Sequence, residues 1–167
     1  MVVIPDGVQV EVTGDNVLVK GGLGSIEKKF NPKILRVEKK DNEAIVSSNL
    51  KKTKRVRAVI NAFEAHLKNM IQGVQKGFEK KLVCVIAHFP VSMEVKESEF
   101  VIRNFLGEKT LRKAQIVGSA KVEVKGNEIM VKGVNKEDVG QTAGNIIAST
   151  KVKEKDIRVF QDGIYHA

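Results

Sequence analysis

Residues 35–46 read LRVEKKDNEAIV, and residues 120–131 read AKVEVKGNEIMV, the same stretch met a second time. A constant step of 85 residues lays Val37 on Val122, Glu38 on Glu123, Lys40 on Lys125, Asn42 on Asn127, Glu43 on Glu128 and Val46 on Val131. Each copy predicts a strand, a polar turn and a second strand. In the second copy Val122, Val124, Ile129 and Val131 bracket Lys125-Gly126-Asn127-Glu128, and Gly and Asn reach left-handed backbone angles cheaply in a two-strand turn. Upstream of the copies run two more alternations, Val8, Val10, Val12, Val17, Val19 and Met93, Val95, Phe100, Ile102, each leading to a Leu-Gly pair, Leu23-Gly24 and Leu106-Gly107. A period close to half the chain is too long for a solenoid and predicts two duplicated domains.

With 167 residues, the repeat selects domains at 1–81 and 82–167, each near the lower end of size for independent stability. The apolar fraction of 42% is that of a globular chain, although Trp is absent and aromatics make up only 5%. Met1 leads directly into β-alternating sequence without a basic-apolar leader, and no apolar run is long enough to span a bilayer. The expectation is a soluble intracellular protein with no membrane partner. The lone Cys84, in LVCVIA, predicts a buried inert thiol.

A net charge of +9 is the electrostatic footprint of a nucleic-acid binder, although basic surfaces also serve acidic membranes and acidic proteins. Split after Lys81, sixteen Lys and Arg face nine Asp and Glu in the first half (+7), and thirteen face eleven in the second (+2). The second half must therefore concentrate its cations locally to hold phosphate strongly.

Residues 8–48 predict about four short strands. GGLG at 21–24 lacks the Gly-Lys-Ser/Thr ending and the following helix of a phosphate loop, so its glycines serve backbone geometry or close approach. The run NLKKTKRVR at 49–57 reads equally as a solvated helix start or a nucleic-acid face, with Lys51, Lys52, Lys54, Arg55 and Arg57 as its candidates. A helix is predicted from an N-cap at Thr53 to about Phe78, with Val56, Val59, Ile60, Phe63, Leu67, Met70, Ile71, Val74 and Phe78 as a core stripe. Cations at its start oppose the macrodipole and hint at an external anion. Two glycines in GVQKGFEKKL (73–82) are expected to end it, and LVCVIA (82–87) predicts a strand buried on both faces.

In VIRNFLGEKTLRKA (101–114), Arg103, Lys109, Arg112 and Lys113 cluster around Asn104, Gly107 and Thr110, a mix able to hold phosphate and sugar oxygens. Asn135 and Asp138 resemble a capping box opening a shorter helix through Val139, Ala143, Ile146 and Ile147. Gly140 and Gly144 share one face of it, more simply read as tight packing on the helix's own sheet than as a site of RNA approach. In the tail, Lys151, Lys153 and Lys155 alternate as on an extended segment, with Arg158, Phe160 and Tyr165 beyond; solvated tail and RNA contact are equally open. His66, His88 and His166 are dispersed, no second cysteine exists and no nucleophile elbow surrounds a serine, so no catalytic, metal or cofactor site is predicted.

Several ordered segments resemble the family of the sixth large-subunit ribosomal protein, whose eukaryotic members carry the number nine: IPDGVQVEV (4–12), VKGGLGSIEKKF (19–30), NMIQGVQKGFEKKL (69–82), EVKGNEIMVKGVNKEDVGQTAGNI (123–146) and KDIRVFQDGIY (155–165). LVCVIAHFP, NFLGEK and the DGIY ending are similar to its archaeal and eukaryotic branch, and the short termini to archaeal members. The resemblance implies an α+β protein of two tandem duplicated domains, each an antiparallel sheet packed against one helix. It also implies a cytoplasmic, non-enzymatic constituent of the large ribosomal subunit without cofactor or small-molecule substrate. Its main contact with large-subunit ribosomal RNA would be made by the second domain near the sarcin-ricin loop and the stalk base, beside neighbouring ribosomal proteins and docking translation factors. Carried onto this chain, the RNA-facing positions are Arg103, Asn104, Lys109, Arg112, Lys113, Lys151, Lys153, Lys155 and Arg158, with Lys51 to Arg57 as a secondary contact for RNA or protein. This assignment requires those cations not to be tied up with the protein's own acids. It also predicts that reversing Arg112 and Lys113 to Glu weakens RNA binding without unfolding the protein. A free tandem RNA-binding module outside the ribosome is the alternative.

Overall fold

Alternating valines set the registers of the strands in a computed structural model that describes residues 2–40, 43–51 and 53–167. In the first unit, β1 (Val2–Val3), β2 (Gln9–Thr13), β3 (Asn16–Gly21), β4 (Gly24–Lys29), β5 (Arg36–Lys40) and β6 (Glu43–Ser47) precede α1 (Lys54–Lys76). Val10 faces Val19 and Val12 faces Val17 across β2 and β3. The strands form two antiparallel sheets, β2-β3-β4 and β1-β6-β5. Five strands therefore occupy residues 8–48 where about four are expected, because the Gly-rich break at 21–24 separates two paired strands.

The second unit repeats this plan with β7 (Phe78–Val85), β8 (Ser92–Lys96), β9 (Glu99–Arg103), β10 (Arg112–Gln115), β11 (Lys121–Lys125), β12 (Glu128–Gly133), α2 (Lys136–Ser149) and β13 (Gly163–His166). Its sheets are β10-β9-β8 and β11-β12-β7-β13. The 85-residue step is kept in the pairing itself: Val37 faces Val46 in one unit, and Val122 faces Val131 in the other. The architecture is α+β, with antiparallel sheets covered by a helix in each unit.

Contacts divide the chain into Met1–Gly77 and Phe78–Ala167. The boundary expected after Lys81 falls inside β7. Gly77, at φ 71°, stops α1 by donating its N–H to the Gly73 carbonyl at 2.9 Å, and the chain enters the strand at the next residue. Gly73 itself lies within the helix and is buried, so one glycine ends α1 and not two. At the other end the Thr53 hydroxyl accepts from Val56 N at 3.3 Å, as the sequence predicts.

Phe63, Leu67, Met70, Ile71 and Val74 form the buried stripe of α1, each contributing on the order of 1.5–3 kcal/mol on burial. Val59 is 40% exposed, while Val56 and Ile60 are half-buried and full burial on α1 begins at Phe63. Phe78 belongs to β7 and is half-buried. Strand β7 is covered on one face only: Leu82 and Cys84 are buried, whereas Val85 is 40% exposed. That corrects the two-sided burial expected of LVCVIA. In the second unit Leu82, Phe100, Ile102, Ile129, Val131, Ala143, Ile146 and Ile164 are packed together at 0–1% exposure. The Asn135 side chain caps α2 by accepting from Glu137 N at 3.0 Å, and its amide donates to Asp138 Oδ1 at 3.0 Å.

The β3–β4 turn sits directly on the end of α1. Leu23 N donates to the Val74 carbonyl at 3.0 Å, and a Cβ built on Gly21 would stand 2.7–3.0 Å from the side chain and carbonyl of Val74. Gly21→Ala is therefore expected to destabilise the first unit by roughly 1–3 kcal/mol in urea unfolding, since neither a β-branched helical side chain nor a carbonyl can move aside cheaply.

Candidate nucleic-acid interface

Between β9 and β10 the chain cannot follow a simple hairpin. Asn104, Leu106 and Gly107 all take left-handed angles, at φ 59°, 51° and 76°. Leu106 carries strain in that region, which the anchors around it offset. Phe105 is buried between them, and Asn104 Nδ2 donates to the Pro90 carbonyl at 2.9 Å. The loop stands away from the end of α2 and leaves an open depression of about 380 Å³ lined by Thr110, Arg112, Lys113, Ser149, Lys151 and Lys153, with Glu108 and Ala148.

Arg112 forms the wall of this depression. Its Nε and Nη2 grip Glu108 at 2.8 and 2.5 Å, and Nη1 donates to the carbonyls of Ser149 and Lys151, each at 3.0 Å. The guanidinium also lies over the buried Phe105 ring, 4.4 Å from its centroid. The hydrogen bond from Arg112 holds the Glu108 carboxyl below the usual carboxylate range against the opposing effect of burial, and the charges of Arg112, Lys153 and Lys155 add to it. Four donated hydrogen bonds and a stacked face leave the group engaged inside the protein. It joins loop, helix end and tail through these contacts.

The other predicted positions divide by what engages them. Arg103 pairs with Glu94 at 3.0 Å, and Lys113 with Glu99 at 2.9 Å, both across neighbouring strands and both exposed. Exposed pairs of this kind contribute about 0–1 kcal/mol and are readily exchanged for a phosphate. Arg158 is held by Asp156 at 2.8 Å within a turn. The requirement that these cations be free of the protein's own acids is thus not met at Arg103, Arg112, Lys113 and Arg158. Among the described residues, Lys109, Lys151 and Lys153 are exposed and make no ion pair.

Lys151 and Lys153 both line the depression, but Glu154 takes φ 57° and ends the extended run. Lys155 consequently leaves the row and lies over Phe160, 4.7 Å from the ring centroid. Tyr165 donates its hydroxyl to the Gln161 carbonyl at 3.1 Å. On α2, Gly140 and Gly144 face open space, since nothing lies within 4 Å of a Cβ built on either, so the close packing on the sheet expected of them is absent. Lys51, Lys54, Arg55 and Arg57 are exposed around the start of α1, whose first turn carries no acid. Lys52 lies outside the described residues.

One constellation escaped the sequence reading. Asp162, 2% exposed, accepts from Ala87 N at 2.7 Å, His88 N at 3.1 Å and His88 Nδ1 at 2.5 Å, while Phe160 stacks on the His88 ring with centroids 4.9 Å apart. Burial alone would raise the Asp162 carboxyl; the two amides and the histidine lower it further, leaving it below the ordinary aspartate value. These partners are 74–75 residues apart, and no local spacing announces them. Among the described residues no group of three or more His, Cys, Asp or Glu could hold a metal ion, and no helix is long and apolar enough to cross a membrane.

The sequence profile of the family described as "Ribosomal protein L6" matches residues 4–77 and 89–163. Proteins named "Large ribosomal subunit protein uL6" are similar along nearly the whole chain. That of Methanosarcina mazei is 48% identical over 97% of this chain and 92% of its own length. Those of Aeropyrum pernix and Methanobrevibacter smithii are 46% and 44% identical, over 97% of this chain and 89% and 90% of theirs.

Two measurements check the geometry. Arg112→Met should lower the stability of the second unit by about 2 kcal/mol in urea unfolding, whereas Lys113→Met should change it by less than about 0.5 kcal/mol. Because the folded Asp162 value is lowered, its contribution is complete above the unfolded value of about 3.9 and disappears as pH falls through the folded value. Asp162→Asn should flatten the stability curve below about pH 4 relative to the parent chain.

Proposed function

The chain belongs to the ribosomal protein L6 family, and from that premise we propose that it is a structural constituent of the large ribosomal subunit, gripping large-subunit ribosomal RNA near the sarcin-ricin loop and the stalk base. It is no enzyme, and its place is the cytoplasmic ribosome, where neighbouring ribosomal proteins adjoin it and translation factors dock nearby. The second unit is the main RNA-binding domain.

The observation that carries this reading is the cationic depression of about 380 Å³ beside the end of α2, lined by Lys113, Lys151 and Lys153 with Thr110. Lys109 and Arg103 extend the positive surface, Asn104 fixes the loop backbone, and Arg112 keeps the depression open from within. Lys155 and Arg158 follow further along the tail, outside the lining of the depression. The cations at the start of α1, with Lys52, serve as a secondary contact. Recognition here is by backbone charge, shape and 2′-hydroxyls, since a folded RNA offers side chains little access to base edges in its deep groove.

Lys113→Glu combined with Lys153→Glu should weaken binding to a large-subunit rRNA fragment. It should also reduce the log-log salt slope by roughly 0.7–0.9 for each phosphate that is no longer neutralised, with unfolding unchanged. Unaltered affinity at matched salt would remove the depression as the binding site. Sedimentation of the native chain apart from large subunits would instead favour a free RNA-binding module.

A further inference from the structure

Residues 156–160 make a strutted turn. The Asp156 carbonyl accepts from Val159 N at 3.1 Å and Phe160 N at 2.9 Å. The Asp156 carboxylate accepts from Arg158 N at 2.9 Å and holds the guanidinium through Nε and Nη2 at 2.8–3.3 Å. Gln161 Nε2 donates to the Arg158 carbonyl at 3.2 Å, and the Phe160 ring is fixed against His88. Two side chains on the crest have no such internal use: Ile157 is 70% exposed and Val159 60%.

We infer that this turn is a protein-docking knob, with Ile157 and Val159 entering an apolar socket rimmed by carboxylates on a neighbouring protein. Aliphatic side chains gain by leaving water for an apolar surface, and a sugar-phosphate backbone offers them none. The one cation on the crest, Arg158, is neutralised by Asp156, so the turn brings little charge to a phosphate. Exposed Lys155 stands immediately before the turn and complements an acidic rim. An apolar hollow of about 280 Å³ adjoins the knob, lined by Ile157, Phe160, Tyr165, Val152 and Ile147 among others, and continues the apolar surface away from it. The struts hold the crest in one conformation before any partner arrives, which lowers the entropy lost on docking.

The knob rests on the ribosomal reading above, and the test separates the two. The full chain carrying a photo-crosslinking amino acid at position 157 is assembled into large subunits and sedimented. Failure to enter the subunit overturns the ribosomal reading. Within subunits, the expected product is a crosslink to a protein, at an apolar segment flanked by Asp or Glu. A crosslink to RNA or to the chain's own first unit, or no crosslink, overturns the knob and leaves the ribosomal reading standing. With the crosslinker moved to position 159, Ile157→Asp should cut the protein product about tenfold while affinity for the rRNA fragment stays within about twofold; an undiminished product overturns the inference.

Discussion

The surface of the second unit depends on how a long loop is fastened to the end of a helix that exposes unsatisfied carbonyls. Those carbonyls need donors, and in each unit the β-loop facing the helix end supplies one. In the first unit it does so through its own backbone, from Leu23 to Val74, and Gly21 closes the remaining distance by having no side chain. In the second, the guanidinium of Arg112 spans the gap to Ser149 and Lys151. A long side chain thus does in the second unit what a backbone amide does in the first.

Charge follows from that geometry more than from composition. The first half carries most of the net positive charge, but its cations are spread over strand edges and a helix start. The second half has a near balance of signs, and its acids have specific uses. Glu108 holds Arg112, Asp156 holds Arg158, and Asp162 ties the tail to His88. With those acids occupied, Lys151 and Lys153 bring exposed positive charge to the depression.

Much of this fold was legible in the sequence because duplication and alternation are local signals. Val37 and Val46, and Val122 and Val131, face each other as the repeat requires, and Thr53 and Asn135 cap the helices they precede. The candidate site was legible only as a collection of basic residues. Nothing local shows that Arg112 points inward to carbonyls more than thirty residues away, or that Glu154 adopts a left-handed angle and breaks the lysine row. Burial fails to follow periodicity for a related reason. Val59 and Val85 continue an apolar pattern, but the covering layer has ended by the time the chain reaches them.

Strand β13 completes the larger sheet by pairing with β7, placing Ile164 opposite Cys84, whereas β1 finds β6 with Val2 opposite Ala44. During synthesis, which proceeds at about 5–20 residues per second, the first unit has all its strands well before the second has its last. The second unit stays open-edged until the tail emerges, with Leu82 and Ile129 awaiting their final neighbour. Lys151 and Lys153 reach their places only when that tail is drawn across the helix end, so the cationic face matures last and a truncated product is born without it.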